Sequence, residues 1–179
     1  MTKTWSRTIL AAGVAGWVWG GGAAVAETQA RPVEEPILTV FMTAAPQTAG
    51  QAGPVAPEAT FDMAMLQAMP VTSFRTSTVW TEGVSEFTGV SLKDFVTAMN
   101  ISTGTLSMYA VNDYMAEVPV SDAVDGGPIL AYLMDGREMS VRDKGPIWLI
   151  YPYDYNPEYQ TEVVYSRSIW QLVKIEYKP

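Results

Sequence analysis

The sequence predicts a mixed α/β domain of the α+β kind, rich in strands. Three observations carry this. β-branched and aromatic runs recur along the chain, at residues 37–42, 71–80, 129–134 and 169–177, and such runs favour strands. Leu92, Phe95, Val96 and Met99 place apolar residues at i, i+3, i+4, i+7, the spacing of an amphipathic helix and the clearest such signal in the chain. Asp135-Gly136 lies between two strand-like runs, a strong hairpin signal.

The chain has 179 residues. Residues 1–26 read as a signal peptide: Lys3 and Arg7 supply the basic start, residues 9–18 the apolar run, and Ala24-Val25-Ala26 a small-x-small cleavage site. Gly20-Gly21-Gly22 breaks the apolar run, which leaves it short of the ~18 residues a membrane-spanning helix needs. The expected product is a secreted, periplasmic protein that is not an integral membrane protein. Cleavage leaves 179 − 26 = 153 residues, enough for one domain with a real core. Residues 27–35 read as a flexible lead-in and 36–179 as the single domain. Removal of Lys3 and Arg7 leaves 11 − 2 = 9 basic residues against 19 acidic, a net charge of −10. That balance argues against nucleic acid or an anionic membrane as partner. The chain has no Cys and no His. Disulfides, thiolate metal sites and Ser-His-Asp or Cys-His catalysis are therefore excluded.

In chain order, residues 37–42 read as the first strand and 44–59, rich in Ala, Gly, Pro and Gln, as an exposed loop. Thr60 and Phe61 lead to Asp62, an N-cap for a helix over 63–69 that Pro70 stops. Residues 71–80 read as a central strand ending at a Trp80 turn. Ser91-Leu92-Lys93-Asp94 forms a capping box for the helix through Met99, with Asn100 as its C-cap. Leu106, Met108 and Ala110 alternate with Ser107, Tyr109 and Val111 as a strand, and Asn112-Asp113 turns the chain into a strand over 115–118. Ser121-Asp122-Ala123 starts a helical turn. The runs 129–134 and 138–141 flank the Asp135-Gly136 hairpin, 147–151 is apolar and buried, and 152–159 is a Pro/Tyr/Asn loop. Strands over 163–165 and 169–177 close the chain.

The stretch from Phe74 through Thr76 and Trp80 to Gly89-Val90-Ser91-Leu92 resembles the molybdopterin-binding domain of the sulfite oxidase family. Residues 143–152 resemble that family's "G-x-P-x-R-L-V-V-P" segment, and 167–175 its closing "K-S-x-K-x-I-x-x-I" strand. The resemblance spans about residues 36–177 and implies the sulfite oxidase-type fold. It also implies a molybdopterin cofactor, held through a cysteine thiolate four residues before the Trp and through basic side chains on the pterin phosphate. Here Thr76 stands at the cysteine position, Trp148 near the family's Arg, and Trp170 at its second Lys, while Arg167 keeps the charge of the first Lys. A neutral hydroxyl is a poor substitute for a soft thiolate on molybdenum, and a phosphate dianion calls for several charged donors.

The candidate cofactor-binding residues of the cleft are Thr76, Ser77, Trp80, Asn112, Arg142, Lys144 and Arg167. Each also has an ordinary reading. Thr76, Ser77 and Thr78 would suit any half-buried strand, Trp80 a core, and Asn112-Asp113-Tyr114 a turn. Arg142, Lys144 and Arg167 would form an anion site, or surface pairs with Asp143, Glu162 or Glu138. Tyr151, Tyr153, Tyr155 and Tyr159 would make a recognition loop or fold over the sheet. No two carboxylates present themselves as a general acid/base pair. The expectation is a non-catalytic domain without catalytic or metal-ligating residues. It would bind a small ligand, or a periplasmic or membrane protein partner, in a sensory or accessory role. A molybdopterin-dependent oxidoreductase with a non-cysteine metal ligand is the alternative, and a structural subunit of an envelope complex the third reading.

Overall fold

The computed structural model describes residues 34–42 and 59–179. The expected signal peptide, most of the lead-in and nearly all of the 44–59 loop lie outside the described residues. Within them the chain builds two five-stranded sheets, as the β-rich α+β expectation requires.

The first sheet runs in the order β2-β1-β10-β5-β6. Its strands are β1 (Leu38–Met42), β2 (Ala59–Phe61), β5 (Thr105–Ala110), β6 (Met115–Pro119) and β10 (Leu172–Lys178). β1 and β10 pair in parallel, with Val40 opposite Ile175; the other pairs are antiparallel. The second sheet runs β3-β4-β7-β8: β3 (Val71–Ser77), β4 (Val84–Ser91), β7 (Ile129–Met134) and β8 (Arg137–Glu138), with β9 (Trp148–Ile150) also pairing to β7. Asp135 and Gly136 both take positive φ, as a two-residue type I′ hairpin between β7 and β8 needs.

Two helices follow their sequence signals. α1 (Met63–Gln67) starts where Asp62 accepts a hydrogen bond from the Met65 N–H. α2 (Leu92–Ala98) starts where Ser91 accepts from Asp94 N–H and donates to its carboxylate, while Leu92, Phe95 and Val96 turn into the core. Asn100 follows the α2 C-cap with a left-handed φ of 55°, the ordinary end of a helix.

Three expectations need correction. Ala59, Thr60 and Phe61 form strand β2 rather than leading into the helix, because their backbone pairs with β1. The run from Val71 is an edge strand, not a central one: it stops at Ser77 and pairs only with β4. Phe87 to Ser91, which have no element assigned from sequence, belong to strand β4. Gly89 sits at a register shift there, and a Cβ on it would fall 2.0 Å from the Leu130 carbonyl oxygen. The glycine of the Gly-Val-x-Leu motif is thus the place where β7 closes on β4. Val163 to Tyr165 lie in helix α3 (Glu162–Arg167), capped by Thr161. The favourable N-cap outweighs the β preference of two valines over so short a run. A smaller departure is Ser107, which is fully buried although it alternates with apolar neighbours. Both faces of β5 are covered at that point.

Candidate functional site

Trp80 is the hub of the site. It lies in the connection from β3 to β4 and packs against four other rings: Trp148, Tyr153, Tyr165 and Trp170, with centroids 5.6–6.5 Å away. All four contacts are edge-to-face, with interplanar angles of 61–87°, the arrangement that opposed ring quadrupoles favour. Trp148 is fully buried behind it and donates from Nε1 to the Ser168 carbonyl at 3.1 Å.

On the other side of Trp80 a cavity of about 350 Å³ stays open. Trp80, Tyr165, Trp170, Tyr114, Ile169 and Asn112 are among its walls, and none of the residues lining it is charged. The Asn112-Asp113-Tyr114 segment is both turn and wall. Asp113 takes a left-handed φ of 62°, and the Tyr114 N–H donates to the Asn112 side-chain oxygen. The Tyr114 hydroxyl donates across to the Ser166 carbonyl at 3.1 Å, tying this turn to α3. The cleft is therefore walled, not filled, by Trp170, whereas Trp148 belongs to the core.

Thr76 and Ser77 do not line that cavity. Thr76 is fully buried near the end of β3. Its hydroxyl accepts the Asp154 N–H at 3.1 Å and donates to the Ser77 carbonyl at 3.2 Å. Asp154 answers with its carboxylate, which receives the Ser77 N–H and the Ser77 hydroxyl, each at 2.6 Å. The two Ser77 hydrogen bonds hold the Asp154 carboxyl below its ordinary range. β3 and the loop after β9 are thus clamped together where the resemblance places a metal ligand.

The three basic candidates have different surroundings. Arg167 pairs with Asp122 at 3.0 Å, a partner outside the Asp143, Glu162 and Glu138 expected from sequence. The Tyr151 hydroxyl donates to the same Asp122 oxygen at 2.7 Å, and burial, followed by the Asp122 charge, pushes the Tyr151 phenol upward. Lys144 lies over the Trp148 ring, 5.5 Å from its centroid. Arg142 is exposed in the turn before Lys144. Neither Arg142 nor Lys144 forms an ion pair among the described residues.

The tyrosine loop is mostly core rather than recognition surface. Tyr151 and Tyr153 are buried and Tyr159 is half-buried against Tyr151, which leaves Tyr155, 70% exposed, as the one open ring of the four. Tyr153 donates to the Ser168 hydroxyl, which in turn donates to the Val164 carbonyl at 3.0 Å. Burial raises the Tyr153 phenol as well. Sequence reasoning missed Asp154, Asp122, Tyr165 and Ser168. The acidic residues carry no motif, and Tyr165 and Ser168 were read within strands rather than on and after a helix.

No cluster of three or more Asp and Glu side chains fit to hold a metal ion occurs among the described residues. No curated protein matches the chain by sequence. Among solved structures, the sulfane dehydrogenase SoxCD from Paracoccus pantotrophus is similar, with a TM-score of 0.52 at 15% identity. The match covers 68% of this chain but 35% of that one, so the chain spans about a third of that protein's length. At this identity the likeness concerns the fold, which is the sulfite oxidase-type fold. Residues 52–157 match the model of the oxidoreductase molybdopterin binding domain. That match takes in more than half of the chain, and the chain belongs to the oxidoreductase molybdopterin binding domain family.

Proposed function

We propose that this protein is a non-catalytic binding module built on the molybdopterin-binding fold. The observation that carries the reading is the state of Thr76. A side chain that replaces a metal-ligating thiolate would be expected to face a cleft. Instead the Thr76 hydroxyl is fully buried and already both accepts and donates within the protein. Coordinating a metal would require it to lose its proton and break the clamp with Asp154.

The rest of the cleft agrees. Molybdopterin carries a phosphate dianion, which needs several charged donors. The open cavity is lined by aromatic and neutral side chains only. Arg167, the one retained basic position, is held by Asp122, and the Asp154 carboxylate is bonded to Ser77, next to Thr76. The residues present do not fit the cofactor that the family implies. A secreted, periplasmic location is part of the same reading. It is supported by the basic start, the apolar run and the Ala24-Val25-Ala26 site. A small ligand would enter the cavity beside Trp80, and a sensory or accessory role beside a protein partner suits a module of this kind.

A second reading is favoured by family membership itself: a molybdopterin-dependent oxidoreductase with a ligand other than cysteine. One experiment separates the two. The full chain is expressed in a bacterium that makes the cofactor. Molybdenum is then measured by elemental analysis, and pterin by fluorescence after oxidation. The expected result is neither. Near-stoichiometric amounts of both would sink the proposal and establish the oxidoreductase reading.

A further inference from the structure

Strand β3 leaves one edge open and borders a groove of its own, away from the cavity beside Trp80. Resting on the reading of this domain as a binding module that serves a protein partner, we propose that β3 docks an extended segment of that partner carrying Lys or Arg. The segment would add to the second sheet as a further strand and place its basic side chains in the groove beside Phe74.

The edge comes first. β3 pairs with β4 alone, in a register unbroken from Val71 opposite Val90 to Ser77 opposite Val84. The Ser77 N–H points away from β4, since it donates to the Asp154 carboxylate at 2.6 Å. Backbone direction alternates along a strand, so the N–H and C=O groups of Val71, Ser73 and Arg75 face the same open side. All three residues are exposed, and among the described residues none of their backbone groups takes a partner outside the sheet. Asp154 therefore closes only the far end of this edge. Proteins commonly blunt an open edge with a bulge, a proline or a very short strand. The other edge strands follow that rule: β2, β8 and β9 have two or three residues, and β6 ends in Pro119. β3 has seven residues, no proline and no bulge. Such an edge is a template for a further strand.

The groove then selects the side chains. Its volume is about 510 Å³, and Thr72 and Phe74 on one face of β3 form one bank of it. Side chains of an added strand that share this face point into the groove. Val124, Pro152 and Tyr155 supply apolar surface for a side-chain stem. The charged residues lining it are Asp94 and Asp125, and no cation lines it. Asp125 meets Lys93 at 2.6 Å, but both side chains are exposed, so the pair is weak. Asp94 accepts the Ser91 hydroxyl and has no ion-pair partner among the described residues. Arg75, the cation of β3, lies on the opposite face with Ser73. A chain with a formal net charge of −8 also draws a basic segment toward it.

The test uses the full chain and synthetic peptides, with binding read by calorimetry and by amide chemical shifts. Acetyl-TVKVKVT-amide should bind with shifts centred on Val71 to Arg75. It should bind at least about tenfold more tightly than acetyl-TVEVEVT-amide at low salt, with the gap narrowing as salt is added. N-methylation of alternate peptide residues tests strand pairing. One of the two phases should abolish binding and the other keep it, because only one set of N–H groups faces β3. Asp94→Asn with Asp125→Asn should weaken the lysine peptide about fivefold. Ser73→Pro removes an N–H on the open side and should abolish binding; the N-methylated peptides ask the same question of the unaltered chain. Equal binding of the two N-methylated phases, a preference for the glutamate peptide, or binding of no peptide would overturn the proposal. So would a dimer in sedimentation that Ser73→Pro dissolves, since the edge would then belong to a second copy. If no peptide binds and the preparation holds neither molybdenum nor pterin, the binding-module reading stands and only this surface falls. Stoichiometric cofactor beside lysine-peptide binding would remove that reading and leave the surface as the docking edge of an oxidoreductase.

Discussion

Trp148 and Trp170 carry the same side chain, pack 6.2 Å apart at 86°, and both stand where the family resemblance places basic residues. Yet Trp148 is fully buried, hydrogen-bonded to the Ser168 carbonyl and wedged against Phe87, while Trp170 is half-buried and walls an open cavity. The same division runs through the whole site. On the closed side, Thr76, Ser77 and Asp154 satisfy one another, and Trp148 is satisfied by Ser168. On the open side, Trp80, Trp170 and Asn112 line a cavity that no charged residue borders. The proposed loss of cofactor chemistry and the open cleft thus rest on separate features of the structure. The first is a polar clamp over the metal position, the second an aromatic pocket beside it.

The sharpest way to break this comparison is to truncate the two tryptophans. Trp148→Ala removes a fully buried ring and leaves a cavity, which costs about 3–5 kcal/mol. Trp170→Ala should cost about 1–2 kcal/mol, because a half-buried ring gives up less transfer free energy. Denaturant midpoints for the two variants check the ranking, and equal losses would mean that the pocket wall is core after all.

The clamp comes next. Thr76→Val keeps shape and removes the hydroxyl, so the Asp154 N–H loses its acceptor at a cost of about 1 kcal/mol. Arg167→Ala should cost about 1 kcal/mol, the value of a partly screened pair whose side chains are 25% and 17% exposed. Denaturant midpoints check this, and an unchanged midpoint would mean that solvent screens the pair with Asp122 completely.

Acid stability measures the clamp's charge. The Asp154 carboxyl sits below its ordinary value of about 3.9, chiefly because Ser77 donates to it twice. A depressed carboxyl contributes stability that is present above the unfolded value and lost as pH falls through the folded one. Asp154→Asn should therefore flatten the decline in stability below about pH 4, by under about 1 kcal/mol because the group is exposed. An unchanged acid limb would show that the clamp carries no charge-dependent stability.

The smallest change expected is in Thr76→Cys. It restores the thiol but not the charged donors, and molybdenum analysis of the variant should still find none. Cofactor uptake by this variant would place the whole loss of function on a single residue.

The sequence determined the elements whose signals are local. Asp62 and Ser91 cap helices because their side chains reach N–H groups three residues away, Asp135-Gly136 turns a hairpin, and Gly89-Val90-x-Leu92 carried the family. Trp80 and Asn112, singled out from the sequence as a tryptophan at a strand end and a polar turn, both line the open cavity. Tertiary structure decided the rest. Whether residues 163–165 are strand or helix rested on a cap against two valines, a margin too small for so short a segment. That Thr76 is clamped depends on Asp154, 78 residues away, and that Arg167 is engaged depends on Asp122, 45 residues away. A side chain's chemistry is written in the sequence. Whether its hydrogen bonds and charge are already spent depends on neighbours that only the folded chain brings within 3 Å.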